Sequence, residues 1–117
     1  QSISQPTTVA RMLCLLELKK GQTVLEIGSG SGWNATLLAF LVNPGKVFSI
    51  ERIKELSDLS KKNYSSIQEK IGIYNTEFVF ADALDKTQKF WKVKYDKIIT
   101  TAAANEEFTE ELKDMAL

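Results

Sequence analysis

The chain has no histidine and a single cysteine, Cys14, among its 117 residues. Metal and haem sites built on clustered imidazole or thiolate are thereby excluded, as are disulfides within the chain and catalysis by Ser-His-Asp or Cys-His pairs. Cys14 lies within an apolar helical pattern and reads as core. Excess charge of either sign is missing too, since 15 Lys and Arg balance 15 Asp and Glu. General attraction to nucleic-acid phosphates or anionic membranes is therefore not expected. The longest apolar runs, such as residues 39–42, fall far short of the ~20 residues of a membrane span, and no leader pattern opens the chain. The expectation is one cytoplasmic domain over residues 1–117, monomeric, able to bury roughly two thirds of the surface its unfolded form exposes.

What the chain does have is alternation. Val9, Met12, Leu13 and Leu16 recur at helical spacing over residues 6–18, with Pro6 suited to a first turn and Lys19, Lys20 and Gly21 to a stop. Residues 23–27 form a short apolar run, followed by Gly28-Ser29-Gly30-Ser31-Gly32 and an Ala/Leu-rich helix over 33–42. Asn43-Pro44-Gly45 is a turn, and residues 46–50 are a second strand stopping at Glu51. Residues 53–71 are predicted as an amphipathic helix with Ile53, Leu56, Leu59, Tyr64 and Ile67 on one side, closed by Gly72. Residues 76–81 form a third strand ending at Asp82, residues 95–101 a fourth, and residues 105–115 a last helix. Lys86, Lys89, Lys92, Lys94 and Lys97 read as a solvated face, with Phe90 and Trp91 packing on the sheet rather than stacking on bases.

Such a pattern predicts an α/β fold, a parallel sheet with helices on both faces in three layers, because parallel neighbours require crossovers. Ligands then gather at the strand C-termini, where the Gly28 turn, Glu51 and Asp82 all fall. The dinucleotide fingerprint G-x-G-x-x-G would need its third glycine at position 33, which is Trp33; the third glycine is Gly32. Glu26, an acid just ahead of the turn, gains nothing from a pyrophosphate and gains from a cation. Glu51 is placed for the two hydroxyls of a ribose, and Asp82 for the exocyclic amine of an adenine. A ribose, an adenine and a cationic amino-acid end without phosphate describe S-adenosyl-L-methionine. The plain structural alternatives are a cap by Asp82 on the helix that follows and an ion pair of Glu51 with Arg52 or Lys54.

V-L-E-I-G-S-G-S-G (residues 24–32) resembles the first motif of the Rossmann-like class I methyltransferases. Ser2-Ile3-Ser4-Gln5-Pro6, G-K-V-F-S-I-E-R-I-K-E-L (45–56) and Y-D-K-I-I-T-T-A-A-A (95–104) narrow the resemblance to the protein-L-isoaspartate O-methyltransferase family. The resemblance implies strand order 3-2-1-4 for the part covered, with further C-terminal strands missing from a partial domain. It also implies methyl transfer from S-adenosylmethionine, leaving S-adenosylhomocysteine, to the α-carboxylate of L-isoaspartyl residues in damaged proteins or peptides. Ser4 matches the active-site serine. Ser2, Ile3, Glu26, Gly28, Ser29, Gly30, Ser31, Gly32, Glu51, Arg52, Asp82 and Ala83 match cofactor-binding positions; no metal is implied. Ala83 stands where the family commonly carries Gly, and Val9 where some members carry a polar contact. As a bare structural alternative, Ser4 would cap the helix after Pro6. Two other functions stay open, a methyltransferase for a small molecule or RNA and a cofactor-binding relative without catalysis.

Overall fold

The strand run T-V-L-E-I owes its central place to its sealed surface: Val24, Leu25 and Glu26 have no exposure, and Ile27 has little. In the computed structural model, which describes residues 17–100, this strand, β1 (Thr23–Ile27), pairs in parallel with β2 (Lys46–Glu51) on one side and β4 (Lys97–Thr100) on the other. β3 (Thr76–Phe80) adds to β2, giving the sheet order β3-β2-β1-β4 that the resemblance implies.

Two helices make the first two crossovers, α1 (Trp33–Val42) and α2 (Lys54–Ile71). Both pack on one face, where Val24, Val47 and Ile99 meet Leu38, Ala39, Val42 and Tyr64. The alternation of strand side chains then assigns faces along β1 and β2. Val24 and Glu26 share the helix face, as do Val47, Ser49 and Glu51, while Leu25, Ile27, Phe48 and Ile50 form the core of the opposite face.

The expected elements and the observed ones agree closely from β1 to β3, with four differences. Glu17, at φ 51°, lies outside helical geometry, so a helix ending at Leu18 is not found. On α2 the deeply buried positions are Ser57, Ser60 and Tyr64, whereas Ile53 and Leu59 are exposed. Small side chains occupy the contact because the helix lies against the backbone of the glycine turn. The second sheet face carries no α-helix among the described residues. Residues 81–96 cross it with a single 3-10 turn, Lys89–Lys92, and Phe90, Trp91 and Tyr95 fill the core there. Asp82 and Asp85 account for the irregular path, since Asp82 Oδ1 accepts from Leu84 N–H at 2.9 Å and Asp85 Oδ1 from Thr87 N–H at 3.1 Å. Such local bonds compete with helix formation. Finally, β4 starts at Lys97 rather than residue 95.

Residues 6–16 of the first predicted helix, the predicted helix over 105–115, Cys14, Val9 and the motif Ser2-Ile3-Ser4 lie outside the described residues. No described helix is long and apolar enough to cross a membrane.

Candidate active site

The five-residue turn between β1 and α1 is built on backbone that side chains tolerate poorly. Gly28, Gly30 and Gly32 all have positive φ, and Gly32 is the N-cap of α1 without a side-chain cap bond. The turn closes on itself through Gly32 N–H to the Ser29 carbonyl at 2.9 Å. It is tied to β2 by Gly28 N–H to the Ile50 carbonyl at 2.8 Å and to α2 by Asn63 Nδ2 to the Ser31 carbonyl at 2.8 Å.

Glu51, nearly buried at the end of β2, accepts from Gly30 N–H on Oε1 and from Ile53 N–H on Oε2, each at 3.2 Å. An ion pair with its neighbours is not what holds it: Lys54 pairs instead with Asp58 at 3.2 Å, and Arg52 is exposed. Asp82 follows directly on Ala81, whose N–H bonds the Glu51 carbonyl at 3.0 Å, so the two acids end adjacent strands. Asp82 also makes the capping contact with Leu84 described above. The capping alternative is thus met on a turn rather than on a helix, through one carboxylate oxygen.

Glu26 lies under the turn, fully buried. Burial pushes its carboxyl up to about 7, against the opposing pull of hydrogen bonds from Ser49 and Asn34. Ser49 Oγ donates to Oε1 at 2.6 Å and Asn34 Nδ2 to Oε2 at 2.8 Å, while Ser49 Oγ also meets Ser29 Oγ at 2.6 Å. The charge acting on Glu26 from its surroundings is a second acid, Glu51.

Glu26, the turn from Gly28 to Gly32, Glu51 and Asp82 thus converge at the C-terminal ends of β1, β2 and β3. Ala83 does not join them as an open side chain: it packs in the second core, and its carbonyl accepts from Trp91 Nε1 at 2.8 Å. Ser2, Ile3 and Ser4 lie outside the described residues. The residues that sequence reasoning missed are Ser49 and Asn34. Ser49 had a signal, a polar residue inside an apolar strand on the same face as Glu51; Asn34 had none. A cavity of about 390 Å³ opens between α1 and α2, lined by Ser31, Gly32, Trp33, Thr36, Asn63, Ser66 and Ile67. It shares two turn residues with the site and none of its acids.

A parallel 3-2-1-4 sheet with a glycine turn after its first strand and acids closing that strand and the next two defines a Rossmann-like class I methyltransferase fold. A solved S-adenosylmethionine-dependent O-methyltransferase from Thermotoga maritima superposes with TM-score 0.81 at 21% identity, over 99% of this chain and 42% of that one. The family is settled by sequence. The model for protein-L-isoaspartate(D-aspartate) O-methyltransferase matches residues 1–115, and the chain belongs to that family. Protein-L-isoaspartate O-methyltransferase of Pyrococcus horikoshii is 45% identical over 106 residues, 91% of this chain and 45% of the relative. That of Methanococcoides burtonii is 42% identical over 107 residues, 91% of this chain and 50% of the relative. A solved protein-L-isoaspartate O-methyltransferase aligns at 30% identity with TM-score 0.81, over all of this chain and 35% of that one. The chain spans about half the length of these curated relatives.

Proposed function

We propose that the protein carrying this chain transfers a methyl group from S-adenosylmethionine to the α-carboxylate of L-isoaspartyl residues in damaged proteins and peptides. The observation that carries the reading is Glu26: a buried acid beneath a glycine turn, with neutral donors on its carboxyl and a second acid nearby, favours a cationic ligand over a pyrophosphate. An ammonium at the turn acts on it through low-dielectric protein, where Coulomb attraction is strong. Glu51, held by two backbone N–H groups, keeps acceptor capacity on each oxygen for ribose hydroxyls. Asp82, at the next strand end, is the acceptor for an adenine amine. Ser2, Ile3, Ser31 and Arg52 complete the cofactor contacts that the family resemblance implies.

The bound sulfonium supplies an activated methyl group. The chain's residues have to orient it and the acceptor, since an in-line displacement is governed by alignment. A carboxylate acceptor is already ionised near neutral pH and needs no general base. Ser4 donates a hydrogen bond that orients the substrate carboxylate.

The test is incorporation of base-labile methyl groups into an isoaspartyl peptide and its aspartyl control. Labelling of the isoaspartyl peptide alone is the expected result. Equal labelling of the two, or labelling of neither, removes the substrate assignment; cofactor binding without transfer to either would leave a methyltransferase for another acceptor or a non-catalytic relative.

A further inference from the structure

An acid sealed into a parallel sheet loses the water that keeps it ionised, and only donors aimed at it replace that hydration. Glu26 has one for each oxygen, Ser49 Oγ on Oε1 and Asn34 Nδ2 on Oε2. They come from different elements, β2 and the first turn of α1. Three elements together therefore fix the plane of the carboxyl. Ser49 has a single proton, which an ionised Glu26 takes up as a hydrogen bond, so the contact with Ser29 is then donated by Ser29. A chain of donors runs from the glycine turn at Ser29, through Ser49, to Glu26.

From this geometry we propose that Ser49 and Asn34 are positioning residues for the amino-acid end of the nucleoside ligand: they hold Glu26 in place as an anion beneath the turn, and Glu26 attracts the ligand's ammonium. The proposal rests on the cofactor reading above. The raised proton affinity of the buried carboxyl makes the two donors necessary, because without either one the neutral form gains further. Their effect is selective. A ligand that carries the ammonium depends on them, whereas one with the same adenine and ribose but no amino-acid end does not.

S-adenosylhomocysteine and 5′-methylthioadenosine are such a pair. Calorimetric titration of both into the protein carrying this chain, and into its Ser49→Ala and Asn34→Ala variants, separates positioning from general structure. Each variant should weaken S-adenosylhomocysteine about tenfold, the effect of one hydrogen bond to a charged group, with methylthioadenosine changed by less than about twofold. A merely structural role would weaken both ligands alike, and that result, or an unchanged affinity for S-adenosylhomocysteine, overturns the proposal. If Ser49→Ala does not fold, Asn34→Ala, at a half-buried helix start, carries the same comparison. Failure of the unaltered protein to bind either nucleoside rejects the cofactor reading and this proposal with it. Binding of both without discrimination by the variants rejects the positioning role alone.

Discussion

Burial of Glu26 raises its carboxyl from 4.5 to about 7, and that shift ties the residue to the stability of the fold as well as to its ligand. Between those two values the folded chain holds a proton that the unfolded chain has released. The stabilising contribution is therefore fully present below about 4.5 and is lost as the pH rises through about 7. At ~1.4 kcal/mol per unit, the loss is on the order of 3 kcal/mol. Glu26→Gln carries no charge at any pH and escapes it. Its melting temperature should exceed that of the unaltered protein at pH 8, and the gap should close near pH 5; a gap independent of pH would show that the carboxyl does not titrate in this range. The same variant gives up the anion proposed to attract the ligand's ammonium, so the gain in stability should come with weaker binding of S-adenosylhomocysteine. Glu26 itself is legible in the sequence as an acid just ahead of a glycine turn. Its dependence on Ser49 is not, because the two are opposed only once β1 and β2 pair in register.

At the scale of elements, the turn's glycines look alike in sequence and differ in what surrounds them. A Cβ on Gly32 would lie 2.7 Å from the Ser60 carbonyl oxygen and 2.8 Å from Ser60 Cα, both backbone atoms of α2, and φ there is 87°. A Cβ on Gly30, at φ 55°, meets nothing within 4 Å. Gly30→Ala should therefore cost about 1 kcal/mol from backbone strain alone. Gly32→Ala adds overpacking and should cost about 2–4 kcal/mol. Urea unfolding of both variants checks the order, and equal losses would mean that α2 yields to the extra atom. The same close approach explains why the apolar residues of α2 mispredict its buried face. Periodicity ranks side chains by hydrophobicity, but a helix that must lie against another backbone buries its serines, Ser57 and Ser60. The bounds of β1 and α1 agree with the sequence because strand, glycines and helix follow one another without ambiguity.

For the whole molecule, the decisive feature is that β1 is bonded on both sides whereas β3 has one neighbour among the described residues. Protection from amide exchange should follow that order. Amides of β1 are expected to exchange about tenfold or more slowly than those of β3, whose strand residues are partly exposed. Exchange followed by NMR or mass spectrometry measures it, and equal rates would deny β1 its central place. The alternation of strands and helices made the parallel sheet legible, and the family resemblance supplied its order. The missing α-helix on the second face was not legible as such. That crossover depends on where Asp82 and Asp85 spend their side chains and on Phe90 and Tyr95 reaching the core.

By itself the sequence determined the glycine turn and the acids at three strands, because residue type and local spacing are all that these require. Tertiary structure alone decided which groups share a network: Ser29, Ser49 and Asn34 with Glu26, Gly30 with Glu51, Gly32 with Ser60. Those pairings join residues from different elements. Strand register and helix packing create them, and neither is written in any local stretch of the chain.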